Sequence, residues 1–317
     1  MAKSAPPLLT QESLADCRLC PRDCGVNRRR GAHSGELGFC CVDDSLAIDS
    51  IVPHRGEEPI LGGTKGVCNV FFSHCNLACR FCQNYQISDN RDPLEAPLSL
   101  DKVVDKITAI LDQGVNALGF VSPSHMLPQM LAIIEAVRGR GYQPTIIYNT
   151  GGYDRIESLR QLENVVDIYL PDCKYMDEEL ARRWSLAADY PRVARAALRE
   201  MYRQKGNVLH IGDDGLARRG LFVRHLVLPG AMENTRRVLE FLAGDLSPKL
   251  HLSLMAQYYP NPAVANHPVL GRGLLPEEYH EALAATERLG FTNVWVQDFA
   301  SADFYRPDFG QDEPFSD

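Results

Sequence analysis

A chain of 317 residues with a formal net charge of −8 is long enough for one barrel-sized catalytic domain with a small appendage. It offers no basic footprint for a phosphate backbone, the run Arg28-Arg29-Arg30 being short and isolated, so nucleic acid is excluded as an expected partner. Positions 1–15 lack a charged region followed by an apolar stretch, and no window approaches the ~20 apolar residues that span a bilayer. The expectation is a cytoplasmic protein without membrane contact. Ten cysteines fall mainly into two groups of metal-like spacing, which in a reducing compartment reads as metal ligation in preference to disulfides.

Residues 1–66 are rich in Cys, Gly, Arg and Pro with little sustained periodicity, the texture of a small Cys-rich N-terminal module held by metal. Cys17-x2-Cys20-x3-Cys24 lies in it, with Cys40 and Cys41 beyond a Gly-rich stretch. Four thiolates at these spacings suit a tetrahedral zinc or an auxiliary iron–sulfur cluster. Zinc is marginally preferred, and Cys40, with Gly38 before it, is the better fourth ligand. Glu57 and Glu58 read most simply as a solvated pair, although their place before the first strand leaves a substrate-facing role open.

From residue 67 strand-length apolar runs alternate with amphipathic stretches. Strands are expected at 67–73, 117–122, 144–149, 165–170, 221–228 and 250–255, with a further one at 294–297. Helices are expected at 100–113, 126–138, 154–162, 191–204, 233–243 and 276–289. This repetition argues for an α/β fold of parallel strands with crossover helices over 67–300, in which the loops after the strands build the active site. Cys68 and Cys173 sit inside apolar segments and read as core. An acidic tail, 301–317, has no apolar periodicity and is expected to lie on the surface.

The loop directly after the first of these strands reads S-H-C-N-L-A-C-R-F-C-Q-N-Y from Ser73 to Tyr85. Its three thiols, Cys75, Cys79 and Cys82, can ligate three irons of a [4Fe–4S] cube whose fourth Cys is absent. A zinc knuckle would want a fourth nearby Cys or His, and His74 is at a poor offset for chelation. The spacing C-x3-C-x2-C, with an aromatic residue before the last Cys, resembles the signature of the radical S-adenosylmethionine (SAM) superfamily. That resemblance implies a partial (β/α)6 TIM-like barrel, and SAM chelated by the open iron. Chelation supports reductive cleavage of SAM to a 5′-deoxyadenosyl radical that takes hydrogen from a substrate.

Further stretches are similar to a group of radical SAM proteins related to pyruvate formate-lyase activating enzyme. They are C-x2-C-P-R-x-C-G-V-N-R near the start, H-R-G-E-E-P at His54, Y-N-T-G-G-Y at Tyr148, Y-L-P-D-C-K-Y at Tyr169, R-H-L-V-L-P-G at Arg224 and Q-Y-Y-P at Gln257. Carried over residue by residue, the resemblance implies that Asp172, Lys174 and Arg224 contact SAM. The usual G-G-E after the second strand is replaced by Ser122-Pro123-Ser124-His125, leaving Ser124 and His125 to receive the methionyl amino group. Asn149-Thr150-Gly151-Gly152 is either a close backbone approach to a ligand or a tight turn.

The resemblance further implies a reductant such as flavodoxin or ferredoxin. Its substrate is either a glycine of a partner glycyl radical enzyme or a small molecule. The competing class is a metal-binding electron carrier or interaction protein on the same scaffold. His54-Arg55-Gly56-Glu57-Glu58 is expected to narrow the barrel mouth, which places a small or peptide-sized substrate level with a partner protein.

Overall fold

The computed structural model describes residues 9–29, 37–92, 94, 96–299, 306–311 and 313–315. Arg30 of the basic run, the first eight residues, and residues 301–305, 312, 316 and 317 of the acidic tail lie outside them. The elements in chain order are β1 (Ile48–His54), α1 (Pro59–Gly62), β2 (Val67–Phe72), α2 (Tyr85–Ser88), α3 (Leu100–Leu111), β3 (Ala117–Val121), α4 (Leu127–Gly139), β4 (Thr145–Thr150) and α5 (Ile156–Gln161). There follow β5 (Ile168–Pro171), α6 (Glu178–Ser185), α7 (Tyr190–Lys205), β6 (His210–Ile211), β7 (Ala217–Leu226), α8 (Met232–Phe241), β8 (His251–Met255), α9 (Pro276–Arg288) and β9 (Asn293–Val296).

The strands form one sheet in the order β1-β2-β3-β4-β5-β7-β8-β9, with β6 paired to β7. Every pairing from β2 to β9 along this path is parallel, and β1 runs antiparallel to β2. Each parallel step is bridged by a helix, so the α/β partial barrel is the observed fold. The helices form for ordinary reasons. In α3 the Ser99 hydroxyl accepts from the Lys102 N–H at 3.4 Å, and Val103, Val104, Ile107, Ile110 and Leu111 recur at helical spacing on its buried face.

Five elements escaped the sequence pattern: the four-residue helices α1 and α2, and β1, α6 and β6. Strand β1 carries Asp49, Ser50 and Pro53, which break its alternation; Pro53 is tolerated because β1 is an edge strand with one free side. The sheet thus begins within the segment read as the N-terminal module. Helix α6 is short and strongly charged, and is started by Asp177, whose carboxylate accepts from the Leu180 N–H at 2.9 Å. The two residues of β6 are exposed and carry no burial signal.

Strand parity fixes what faces the lumen. Cys68, Val70, Phe72, Leu118, Phe120, Ile146, Tyr148, Tyr169, Leu221 and Val223 pack outward in the main core. Val67, Ala117, Ile147, Ile168 and Phe222 fill the lumen floor. Two residues further along, the same faces present polar groups: Asn69, Asn149, Arg224 and Ser253. The barrel is therefore sealed with hydrocarbon at the strands' N-terminal side and lined with polar groups toward their C-terminal ends. None of the ten cysteines is disulfide-bonded, and among the described residues no helix is long and apolar enough to cross a membrane.

Candidate active site

The cysteine loop leaves the end of β2 and is tied down on every side. The Asn90 carboxamide oxygen accepts from the Cys75 N–H at 2.9 Å, the Asn76 carboxamide donates to the Tyr153 carbonyl at 2.7 Å, and the Arg80 N–H donates to the Trp184 carbonyl at 2.8 Å. The Asn261 side chain donates to the Cys82 carbonyl at 3.0 Å. Phe81, the aromatic residue before the last Cys, is buried among Tyr175, Trp184 and Tyr258, a burial worth about 2–3 kcal/mol. Helix α6 supplies Ser185, whose hydroxyl donates to Cys79 Sγ at 3.0 Å. Burial pushes the Cys75 thiol up to about 12 and raises that of Cys79, against which the Lys174 ammonium acts.

Lys174 and Asp172 stand beside this loop. Lys174 Nζ donates to Asp172 Oδ2 at 2.5 Å, and both side chains are largely buried. Burial works against the Lys174 charge, but Asp172 and then Cys79 outweigh it and hold its pKa above the usual value. Asp172 is bridged to Arg224 across the parallel strands, so the D-C-K and R-H-L motifs meet in space. His225 faces away, its ring bonded to the Cys173 carbonyl and the Thr235 hydroxyl.

The glycine pair explains itself by crowding. A Cβ on Gly151 would lie 3.0 Å from Leu77 of the cysteine loop and 3.5 Å from Lys174, while one on Gly152, at φ +76°, would lie 2.2 Å from the Asp172 carbonyl oxygen. The close approach is therefore to the chain itself. Gly152→Ala is expected to lower stability by more than the ~1–2 kcal/mol that left-handed backbone alone costs a side chain, because Asp172 must also shift. Thermal unfolding checks this, and an unchanged midpoint would contradict it.

A cavity of about 450 Å3 opens at the C-terminal ends of the strands. His54, Gly56, Glu57 and Glu58 line it, with Gln83 and Asn84 from the cysteine loop, Arg224 and Ser253 from the sheet, and Trp295 of β9. Pro307 and Phe315 of the C-terminal segment complete the wall, Phe315 stacking on His54 at 4.1 Å and on Phe71 at 5.5 Å. The reading of Glu57 and Glu58 as a solvated pair is corrected. Arg224 donates to both carboxylates, with Nε to Glu58 Oε1 at 2.9 Å, and the three side chains are 7–13% exposed. Asn69 donates to Glu57 Oε1 at 2.8 Å, and it fits because Gly119 lies across from it on β3; a Cβ there would fall 2.1 Å from the Asn69 oxygen.

Ser124 and His125 do not line this cavity. Ser122, at φ +53°, turns the chain so that both side chains are buried behind the sheet. The Ser124 hydroxyl donates to Asp154 Oδ1 at 2.7 Å, beside Tyr148 and Thr150 on the same carboxylate, and His125 Nε2 meets the Ser73 carbonyl at 3.0 Å. Their expected contact with a methionyl amino group thus meets side chains already engaged within the chain.

Behind the cysteine loop, Cys17, Cys20, Cys24 and Cys40 line a narrow cleft together with Arg28 and His125. Cys41 turns its Sγ toward the Gly38 carbonyl at 3.5 Å. Arg28 is 1% exposed and, among the described residues, has no carboxylate as a hydrogen-bond partner: it donates to the carbonyls of Val42 and His125 at 2.7 Å each and to Cys17 Sγ at 3.5 Å. The His74 ring bonds the Cys40 carbonyl at 2.9 Å, so the two cysteine groups are neighbours through a single residue. Among the described residues, no three His, Cys, Asp or Glu side chains converge as a single metal ion would need. Sequence reasoning missed Asn69 and Ser185, which show no local motif, because only tertiary packing brings them to these sites; Arg28 closes the C-x2-C-P-R-x-C-G-V-N-R stretch but was given no role.

A sequence profile of the Radical SAM superfamily matches residues 69–242. An uncharacterized protein of Methanocaldococcus jannaschii is 28% identical over 289 residues, covering 88% of this chain and 77% of its own. Among solved structures, the FeFe-hydrogenase maturase HydG from Carboxydothermus hydrogenoformans aligns with a TM-score of 0.50 at 15% identity, over 72% of this chain and 52% of its own, and shares the fold. Methylornithine synthase (PylB) aligns with a TM-score of 0.49 at 14% identity, over 72% and 63%. The chain spans less than two thirds of the length of either solved structure.

Proposed function

The chain belongs to the radical SAM superfamily, and from that premise we propose that Cys75, Cys79 and Cys82 hold a [4Fe–4S] cluster at which SAM is bound and cleaved. Membership makes the protein an enzyme, and the family implies both the cluster and SAM. The observation that carries the residue assignment is the convergence of the D-C-K pair on the cysteine loop, where Gly151 lies between Leu77 and Lys174 and the Lys174 ammonium opposes the burial that raises the Cys79 thiol. Together the bound cluster and SAM supply one-electron cleavage of a sulfonium and a carbon radical able to take hydrogen. The chain's own part is to arrange them. Lys174 offsets thiolate charge, Asp172 fixes Lys174, Ser185 donates to Cys79, and the Phe81 cluster excludes water from the loop. Arg224 belongs to the lumen, and Ser124 and His125 serve as supports behind the sheet in this reading.

In the same reading a one-electron reductant of the flavodoxin or ferredoxin class serves the enzyme in the cytoplasm. A small substrate is favoured over a partner's glycine because both the His54 segment and Phe315 wall the cavity. The test is electron paramagnetic resonance of the reconstituted, reduced protein. Adding SAM is expected to change the cluster signal, and an unaltered signal would count against binding at the cluster.

The second cysteine group is read as a metal centre on the strength of Arg28. A buried guanidinium with no carboxylate partner among the described residues needs a counter-charge, and thiolates of a metal site provide it. We read it as an iron–sulfur cluster, which four thiolates lining one cleft suit as well as they suit the single zinc marginally preferred from spacing. Cys20→Ser is expected to lower bound iron while leaving the main cluster's absorbance in place. Zinc in the parent, lost in the variant, would restore the zinc assignment.

A further inference from the structure

We propose that the Glu57-Glu58-Arg224 end of the cavity anchors a positively charged group of the substrate, an ammonium or guanidinium. The inference rests on the radical SAM reading and names the class of substrate for that same site.

Two carboxylates share one guanidinium, so one negative charge stays uncompensated by Arg224 in a largely buried setting. Such a charge is costly to bury unless a cation completes it. Glu57 is additionally fixed by Asn69, which leaves the pair oriented and not free to swing away.

A second observation comes from His54. Its ring is 9% exposed, lines the same cavity, and has no hydrogen-bond partner at Nδ1 among the described residues. Burial first, and Arg224 with it, keep the imidazole below its ordinary range, against the pull of Glu57 and Glu58. An unprotonated Nδ1 there can accept from an N–H of a bound cation. Trp295 and Phe71 add aromatic walls, surfaces that a cation tolerates and an anion does not. A substrate carboxylate would instead have to displace one glutamate from Arg224 and confront the other.

The test uses the reconstituted enzyme saturated with SAM, itself a cation, so that its own place is filled. Three five-carbon probes of equal length are titrated calorimetrically: 1,5-diaminopentane, 1,5-pentanediol and glutarate. The diamine is expected to bind at least tenfold more tightly than the diol, with no glutarate binding, and Glu58→Gln is expected to weaken the diamine at least tenfold. Equal affinities, tighter glutarate binding, no diamine binding, or an unaffected Glu58→Gln variant would each overturn the proposal. Because the wild-type ranking needs no variant, misfolding of Glu58→Gln cannot rescue it. Repeating the series without SAM separates the two readings: failure of SAM to bind counts against the enzymatic site, whereas the probe ranking judges the anchor.

Discussion

Cys79→Ser is expected to abolish the brown absorbance of the main cluster and, with it, SAM cleavage. A serine alcohol is a poor iron ligand beside a thiolate, and only three cysteines sit on this loop. Cys79 also takes the Ser185 hydroxyl at 3.0 Å and the influence of Lys174. Losing it removes a ligand and strands both neighbours. The loss of activity should exceed the ~100-fold that removal of an outer hydrogen-bond partner costs, so Ser185→Ala is the milder comparison. Iron and sulfide content with 5′-deoxyadenosine release checks this. Cys79→Ser turning over at the parent rate would remove the residue from the cluster.

The second large effect is on stability. Arg224→Met should leave Glu57 and Glu58 buried without their cation, a loss of about 3–5 kcal/mol at pH 7. The pH dependence carries the sign. Burial alone would raise the Glu57 pKa, but Arg224, with His54 and Asn69, holds it down to about 2 from an ordinary 4.5. A carboxyl depressed in the folded state contributes stability that is present above 4.5 and lost as pH falls toward 2. Without Arg224 burial prevails and the folded pKa rises above the unfolded one. The variant's deficit should then be largest at neutral pH and shrink on acidification toward the ordinary carboxyl range. Denaturant unfolding across that range decides it; a deficit that stays constant or grows on acidification would contradict the assignment of Arg224 as the counter-ion.

Much of the fold was legible because its parallel strands are buried on both faces. Runs such as 117–121 and 168–171 are apolar throughout and stand out from the helical stretches between them. Edge strand β1 was not legible, because an edge needs neither continuous burial nor freedom from proline. The cysteine loop and the D-C-K element were visible as local motifs. The Glu57-Glu58-Arg224 cluster was not: its members lie 166 and 167 residues apart, and only the curvature of the sheet brings β7 against the segment before β2. Ser124 misled for a related reason. A polar residue after a strand reads as a site residue, but the left-handed turn at Ser122 hides it against Asp154.

Cleavage of SAM at a cluster held by Cys75, Cys79 and Cys82 is the proposed chemistry on which the other assignments depend. The most direct measurement is mass-spectrometric quantification of 5′-deoxyadenosine and methionine after anaerobic reconstitution with iron and sulfide, reduction by dithionite and addition of SAM. Both products are expected in equal amounts from the parent, and neither from the variant with all three cysteines changed to serine. A parent that binds iron yet forms no 5′-deoxyadenosine above the unreduced control, or a triple variant that forms it like the parent, would contradict the account.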